Sequence, residues 1–173
     1  MDAQRPDLIP SLVNGYICPQ DPGEPGTGEP RLSVNDHEAR LLASLVRGMD
    51  VLEIGTGFAV STQAMAKTAK RVVTIDPDPF IVERVFPTLP ANVVPSPYLQ
   101  DWMVDFDAAF LDGLHTREQA NRDIIEMRAR VKAHGLLIFH DLYYDEIRQA
   151  LADSKIAVIH VQTTAGIGLG WNE

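Results

Sequence analysis

The 173-residue sequence predicts an α/β fold: a mostly parallel sheet of six or seven strands, covered by helices on both faces, with an antiparallel last strand. Three observations lead there. Short apolar, β-branched runs alternate with stretches of helical periodicity, and strands separated by helices of that length pair in parallel through right-handed crossovers. Only residues 162–166 separate the last two runs, too few for a crossover, so the final strand reverses at the edge of the sheet. With 45% apolar and 23% charged residues, the composition is that of one globular domain, and a chain of this length buries roughly 70% of its unfolded surface.

Residues 1–32 stand apart from that pattern. Six of the twelve prolines fall between Pro6 and Pro30, and QDPGEPGTGEP from Gln20 to Pro30 can sustain neither helix nor ladder. This segment reads as an N-terminal arm or flap with a Pro/Gly loop, and residues 33–173 as the domain proper. Leu41, Leu42, Leu45, Val46 and Met49 recur at helical spacing behind Asn35, with Glu38 in capping-box position, which predicts a helix over about 35–47. Val51-Leu52-Glu53-Ile54 is a strand, residues 60–69 a helix, and Arg71 through Asp76 a buried strand. A helix over 79–86 precedes a weak strand at 92–94 and a stronger one at 107–112. Ala120, Ile124, Met127 and Val131 mark one face of a long helix that begins at Thr116 and Gln119 and stops at Gly135. A strand over 136–141, a helix over 144–153 and strands at 156–161 and 167–171 complete the chain.

With 24 acidic against 15 basic residues the net charge is -9, which argues against nucleic acid and anionic membranes as partners. One cysteine, Cys18, cannot form an internal disulfide, and no apolar run approaches the length of a membrane span. A cytoplasmic location is the expectation, with self-association into a homo-oligomer left open.

In an open parallel sheet, ligands bind beyond the carboxyl ends of the strands. Those ends carry Glu53, Asp76, Asp112 and Asp141, four acids on one rim, beside the turn Gly55-Thr56-Gly57. Glycines there let backbone approach a ligand that a Cβ would block. Val60 stands where a dinucleotide fingerprint requires glycine, and no Lys-Ser/Thr follows as a triphosphate loop requires. The pattern therefore points to a nucleoside ligand without pyrophosphate, with Asp76 placed to accept its ribose hydroxyls.

The strings VLEIGTGFAVST, VVTIDPDP, DAAFLDGLHTREQANRDI and GLLIFHDLY resemble the class I S-adenosylmethionine-dependent methyltransferases, and within them the small O-methyltransferase-like group with a DG-x-H segment. The resemblance spans about residues 33–171 and implies a Rossmann-like three-layer sandwich. It implies an enzyme that uses S-adenosyl-L-methionine to methylate a hydroxyl of a small-molecule acceptor. Glu53, Gly55, Thr56 and Gly57 would then surround the amino acid part of the cofactor, Asp76 hold its ribose, Ser96 in the loop after the third strand border its adenine, and Asp112 line the same site. Asp112, Asp141 and His115 become the catalytic candidates, with His115 as general base. In the metal-dependent branch the acids matching Asp112 and Asp141 bind magnesium together with an Asn; here Leu142 stands in the Asn position. His140 is the substitute ligand at hand, although strand alternation points it away from Asp141. A non-catalytic nucleoside-binding domain of the same fold and an aminopropyl transferase are the rival readings.

Other residues read as structural. His37 and His134 are expected in solvent at helix ends, His160 on an edge strand, and Tyr98 and Trp102 packed under the strand that follows them. Tyr143 and Tyr144 stand at the rim, where they would line an acceptor pocket.

Overall fold

The computed structural model describes residues 34–99, 102 and 105–173, so the expected N-terminal arm and Cys18 lie outside the described residues. Helix α1 (Asp36–Leu45) starts where the sequence places it: the Asn35 side chain accepts from the His37 and Glu38 N–H groups, and Glu38 accepts from the Asn35 N–H. Such a cap contributes about 1 kcal/mol. Strand β1 (Asp50–Ile54), helix α2 (Val60–Ala66) and strand β2 (Arg71–Ile75) follow. A π-helical turn (Ile81–Val85) and a 3-10 turn (Phe86–Thr88) then lead to β3 (Val93–Ser96). The second half comprises β4 (Phe106–Leu111), α3 (Arg117–Arg128), β5 (Val131–Phe139), α4 (Asp145–Asp153), β6 (Ile159–Val161) and β7 (Ile167–Trp171).

These strands form one seven-stranded sheet in the order β3-β2-β1-β4-β5-β7-β6. The first five are parallel, and β7 pairs antiparallel with both β5 and β6. Alternation along the strands splits the core as the pleat requires. Leu52, Ile54, Val73, Ile75, Ala109 and Leu111 pack with Ile124 and Met127 of α3 and Leu151 of α4. Val51, Val72, Ala108 and Phe110 pack with Leu42 of α1 and Met65 of α2. The outcome is the three-layer α/β sandwich expected.

Several local expectations are corrected. The reversed strand is not at the edge: β7 inserts between β5 and β6, leaving β6 outermost with His160 on it. The long helix ends at Arg128 instead of continuing to Gly135, because residues from Val131 join β5. Asn172 enforces this, with its side chain donating to the carbonyls of Arg128 and Val131 and its backbone pairing with His134 and Gly135. Val131 is buried as its apolar character demands, but from a strand; His134, exposed, is likewise a strand residue. Ser96 is the last residue of β3, paired with Ile75, not part of the following loop. Trp102 packs on the core as expected, whereas Tyr98 is exposed. No helix among the described residues is long and apolar enough to cross a membrane.

Candidate functional site

The carboxyl ends of β1, β2, β4 and β5 lie side by side, and two differently built clusters occupy them. The first is the glycine turn. Gly55 leaves β1 at φ +99, its N–H donates to the Ile75 carbonyl at 2.9 Å, and a Cβ there would stand 2.1 Å from the Asp112 carbonyl oxygen. Only glycine lets the exits of β1 and β4 pass this closely. Gly57, at φ +47, has no atom within 4 Å of where a Cβ would be, so its outer side is open. Its N–H donates to Asp76 Oδ2 at 2.9 Å, and the Asp78 N–H donates to Asp76 Oδ1 at 3.0 Å. Burial pushes the Asp76 carboxyl upward against those N–H donors. Ser96 closes a small turn with Tyr98, donating from Oγ to its carbonyl at 3.0 Å.

Beneath this turn lies Glu53, with no exposed surface. It accepts from the hydroxyls of Ser61 and Thr62 in the first turn of α2 and from Thr74 on β2, each at 2.6 Å. Thr74 also contacts Thr56 Oγ1 at 2.6 Å. Burial raises the Glu53 carboxyl to about 7, the three hydroxyls offsetting only part of that cost. Glu53 thus braces the strand-to-helix turn from behind, while Asp76, Asp112 and Asp141 stand at the strand ends.

The second cluster joins the ends of β4 and β5. His115 Nε2 stands 2.8 Å from Asp141 Oδ2 and 3.7 Å from Asp112 Oδ1. His140 Nδ1 lies 3.1 Å from Asp112 Oδ1 and 3.2 Å from Asp141 Oδ2, so each carboxylate faces both imidazoles. This corrects the alternation argument. Strand β5 ends at Phe139, and Asp141 takes a left-handed conformation, φ +60, which swings its side chain back beside His140. Tyr144 stacks on His115 with ring centroids 4.9 Å apart.

Behind the second cluster lies Glu38, fully buried, whose Oε2 is 3.4 Å from His140 Nε2 and whose Oε1 accepts the Ala165 N–H at 2.9 Å. Burial pushes the Asp112 carboxyl up, but the charge of His140, the His140 hydrogen bond and the nearby His115 imidazole outweigh it and hold the group well below the usual range. Burial likewise disfavours the His140 imidazolium, yet Asp112 and Glu38 raise it to about 9. Glu38 falls to about 2 because His140 and the Ala165 N–H outweigh its own burial.

Sequence reasoning missed the work of Glu38 and undervalued His140. Capping-box spacing identified Glu38 but explained only one of its oxygens. Donor atoms of Asp112, His115 and Asp141 lie within 4.8 Å of one another, a set of two oxygens and one nitrogen compatible with a divalent cation. A cavity of about 10 Å³ beneath the Asp112–His115 loop has room for roughly one water, so it is not an acceptor pocket.

A family of methyltransferase domains matches residues 52–142, more than half of the chain. No curated protein matches. Among solved structures, the cofactor-bound Rv0187 from MTB superposes with a TM-score of 0.72 at 20% identity, over 83% of this chain and 84% of that one. An O-methyltransferase from Bacillus cereus, in complex with SAH, gives 0.64 at 16% identity over 83% and 84%. TomG, an O-methyltransferase of tomaymycin synthesis from Streptomyces achromogenes in complex with SAM, gives 0.63 at 17% identity over 83% and 82%. At these identities the likeness establishes the shared fold.

Proposed function

The chain belongs to the methyltransferase-domain family, and on that premise we propose that it is an S-adenosylmethionine-dependent methyltransferase acting on a hydroxyl of a small molecule. One observation carries this reading: an imidazole, His115, held 2.8 Å from a buried carboxylate, Asp141, at the strand ends adjoining the glycine turn and Asp76. Two O-methyltransferases with the same fold were solved with SAH or SAM.

The cofactor supplies an electrophilic methyl on a sulfonium. On this chain the open side of Gly57 admits it, and Asp76 accepts from the ribose hydroxyls. Gly55 and Thr56 form the wall beside its amino acid part, Glu53 braces that wall from behind, and Ser96 at the end of β3 borders its adenine. The acids of the rim favour a ligand that carries a sulfonium and an ammonium. His115 Nε2 is buried 2.8 Å from Asp141 Oδ2 without hydrogen-bond geometry, so it is the carboxylate's charge that favours the tautomer protonated at Nε2, which leaves Nδ1 to take the proton of the acceptor hydroxyl. His115 Nδ1 would take the proton released from the acceptor hydroxyl, and the bound cofactor would supply the methyl and keep the electron pair of the broken carbon–sulfur bond. Tyr144 fixes the imidazole plane by stacking. Where a magnesium ion takes part instead, Asp112, His115 and Asp141 would hold it, with His115 as a ligand rather than as the base, and it would orient an acceptor oxygen.

The test combines calorimetric binding of S-adenosylmethionine with turnover over a panel of catechols and other hydroxylated small molecules. His115→Asn is expected to keep cofactor affinity and lose turnover by about 10²- to 10⁴-fold, the range for a general base. Undiminished turnover in His115→Asn removes the base. If Asp112→Ala binds cofactor and wild type transfers methyl to no acceptor, the non-catalytic reading replaces this one. Turnover unaffected by a chelator removes the cation.

A further inference from the structure

A helix-capping glutamate usually sits at the surface, where its carboxylate meets one backbone N–H and water. Glu38 does more. It has no exposed surface, and it gathers donors from three separate places: the Asn35 N–H at the start of α1 (3.0 Å), the Ala165 N–H between β6 and β7 (2.9 Å), and His140 Nε2 after β5 (3.4 Å). Capping needs only the first. His140, 3% exposed, is fixed at both ends, because with Nε2 committed to Glu38 its Nδ1 has only the space between Asp112 Oδ1 and Asp141 Oδ2 to enter.

That placement matters for His115. Asp112 Oδ1 and Asp141 Oδ2 both face His115 Nε2, at 3.7 and 2.8 Å. His140 Nδ1 hydrogen-bonds Asp112 Oδ1 at 3.1 Å and stands 3.2 Å from Asp141 Oδ2, and with it in place Asp141 is the nearer partner of His115 and Asp112 the farther one. Remove that contact, and the buried Asp141 and the partly exposed Asp112 compete for the single remaining imidazole nitrogen. The usual logic of imidazole sites is the same: the outer carboxylate on one ring nitrogen decides where the other nitrogen points.

We propose that Glu38 and His140 are positioning residues of the methyl-transfer site, Glu38 aiming His140 Nδ1 between Asp112 and Asp141 and so setting the Asp141–His115 pair. The proposal rests on the reading that this pair is the working base. It also makes the start of α1 and the β6–β7 turn part of the site's framework, although neither carries a residue at the strand ends.

The experiment observes the His115 ring directly, so it needs no acceptor and its failure is separate from a failure of methyl transfer. Long-range ¹H–¹⁵N spectra of the imidazoles are recorded on the whole protein for wild type, Glu38→Gln, His140→Asn and the double variant, with His115→Asn for assignment and the exposed His134 as internal control. Wild type should show His115 protonated at Nε2, with that proton slow to exchange. Glu38→Gln should lose the slow-exchanging His115 signal while His134 and SAH affinity stay unchanged. His140→Asn leaves an amide donor near the Nδ1 position but breaks the link to Glu38, so adding Glu38→Gln to it should change nothing further at His115.

A purely structural cap predicts the opposite pattern: a lower melting temperature in both backgrounds, with His115 unmoved. An unmoved His115 signal in folded Glu38→Gln therefore overturns the proposal, as does an equal effect of Glu38→Gln with and without His140. Should Glu38→Gln fail to fold, His140→Gln keeps a donor toward Glu38 and removes the one toward the carboxylates. It must then displace the His115 signal, and an unmoved signal there overturns the proposal equally.

Discussion

Glu53 and Asp112 sit at the ends of adjacent parallel strands, Glu53 fully buried and Asp112 largely so, but their surroundings differ in kind. Glu53 receives three neutral hydroxyls from Ser61, Thr62 and Thr74. Asp112, with Asp141, receives imidazoles from His115 and His140. Neutral donors satisfy lone pairs without supplying charge, so burial dominates and Glu53 rises to about 7, with the nearby Asp112 charge adding to the rise. Around Asp112 the imidazoles supply the missing charge and reverse the direction. The glycine-turn half is therefore shaped by close backbone approach, and the β4–β5 half by charge. On the proposed function, the first half would serve as a fixed cofactor wall and the second as the place of proton transfer.

The largest effect that would break this comparison is expected at Gly55. Gly55→Ala puts a Cβ 2.1 Å from the Asp112 carbonyl oxygen at φ +99, and should cost on the order of 4 kcal/mol or prevent folding, read by denaturant unfolding. A variant as stable as wild type would show that the exits of β1 and β4 are not locked together.

Next comes the pH dependence of Glu53. Its folded value of about 7 lies above the usual 4.5, so the folded state holds the proton more tightly. Stability then falls as pH rises from about 4.5 through 7, by roughly 3 kcal/mol. Glu53→Gln should flatten that limb in pH-dependent melts. His140, raised from 6.5 to about 9, gives a separate limb: its contribution is complete below 6.5 and lost as pH rises through about 9. His140→Gln should remove the alkaline limb and leave the acidic-to-neutral one. If both limbs vanish together in either variant, the two halves do not titrate separately.

The smallest effect belongs to Gly57→Ala. With φ +47 and open space around the new Cβ, the backbone strain is about 1 kcal/mol, yet cofactor affinity should drop more than stability does. Unchanged affinity would close the open side of the turn as a binding surface.

Much of this was readable in advance because local signals agreed with tertiary ones. Asn35 and Glu38 announced a helix start, the β-branched runs announced buried strands, and a five-residue link forced β7 to reverse. Failures came where distant residues decide. Helical periodicity through Val131 was genuine, but Asn172, 41 residues on, captures the carbonyls that would have continued the helix. Alternation misjudged His140 because the strand ends before it and Asp141 turns left-handed, a conformation that no local rule assigns to that aspartate. The four rim acids were identified by position. That one of them is sealed behind the turn by hydroxyls follows from Ser61, Thr62 and Thr74 converging in space, which spacing alone does not reveal.

The most direct measurement of the central claim is calorimetric titration of S-adenosylmethionine into wild type and Asp76→Ala, with melting curves to verify folding. If the cofactor lies against Gly57 with its ribose on Asp76, the variant should bind at least about tenfold more weakly, a difference of roughly 1.4 kcal/mol. Equal affinity in the two folded proteins would contradict the account.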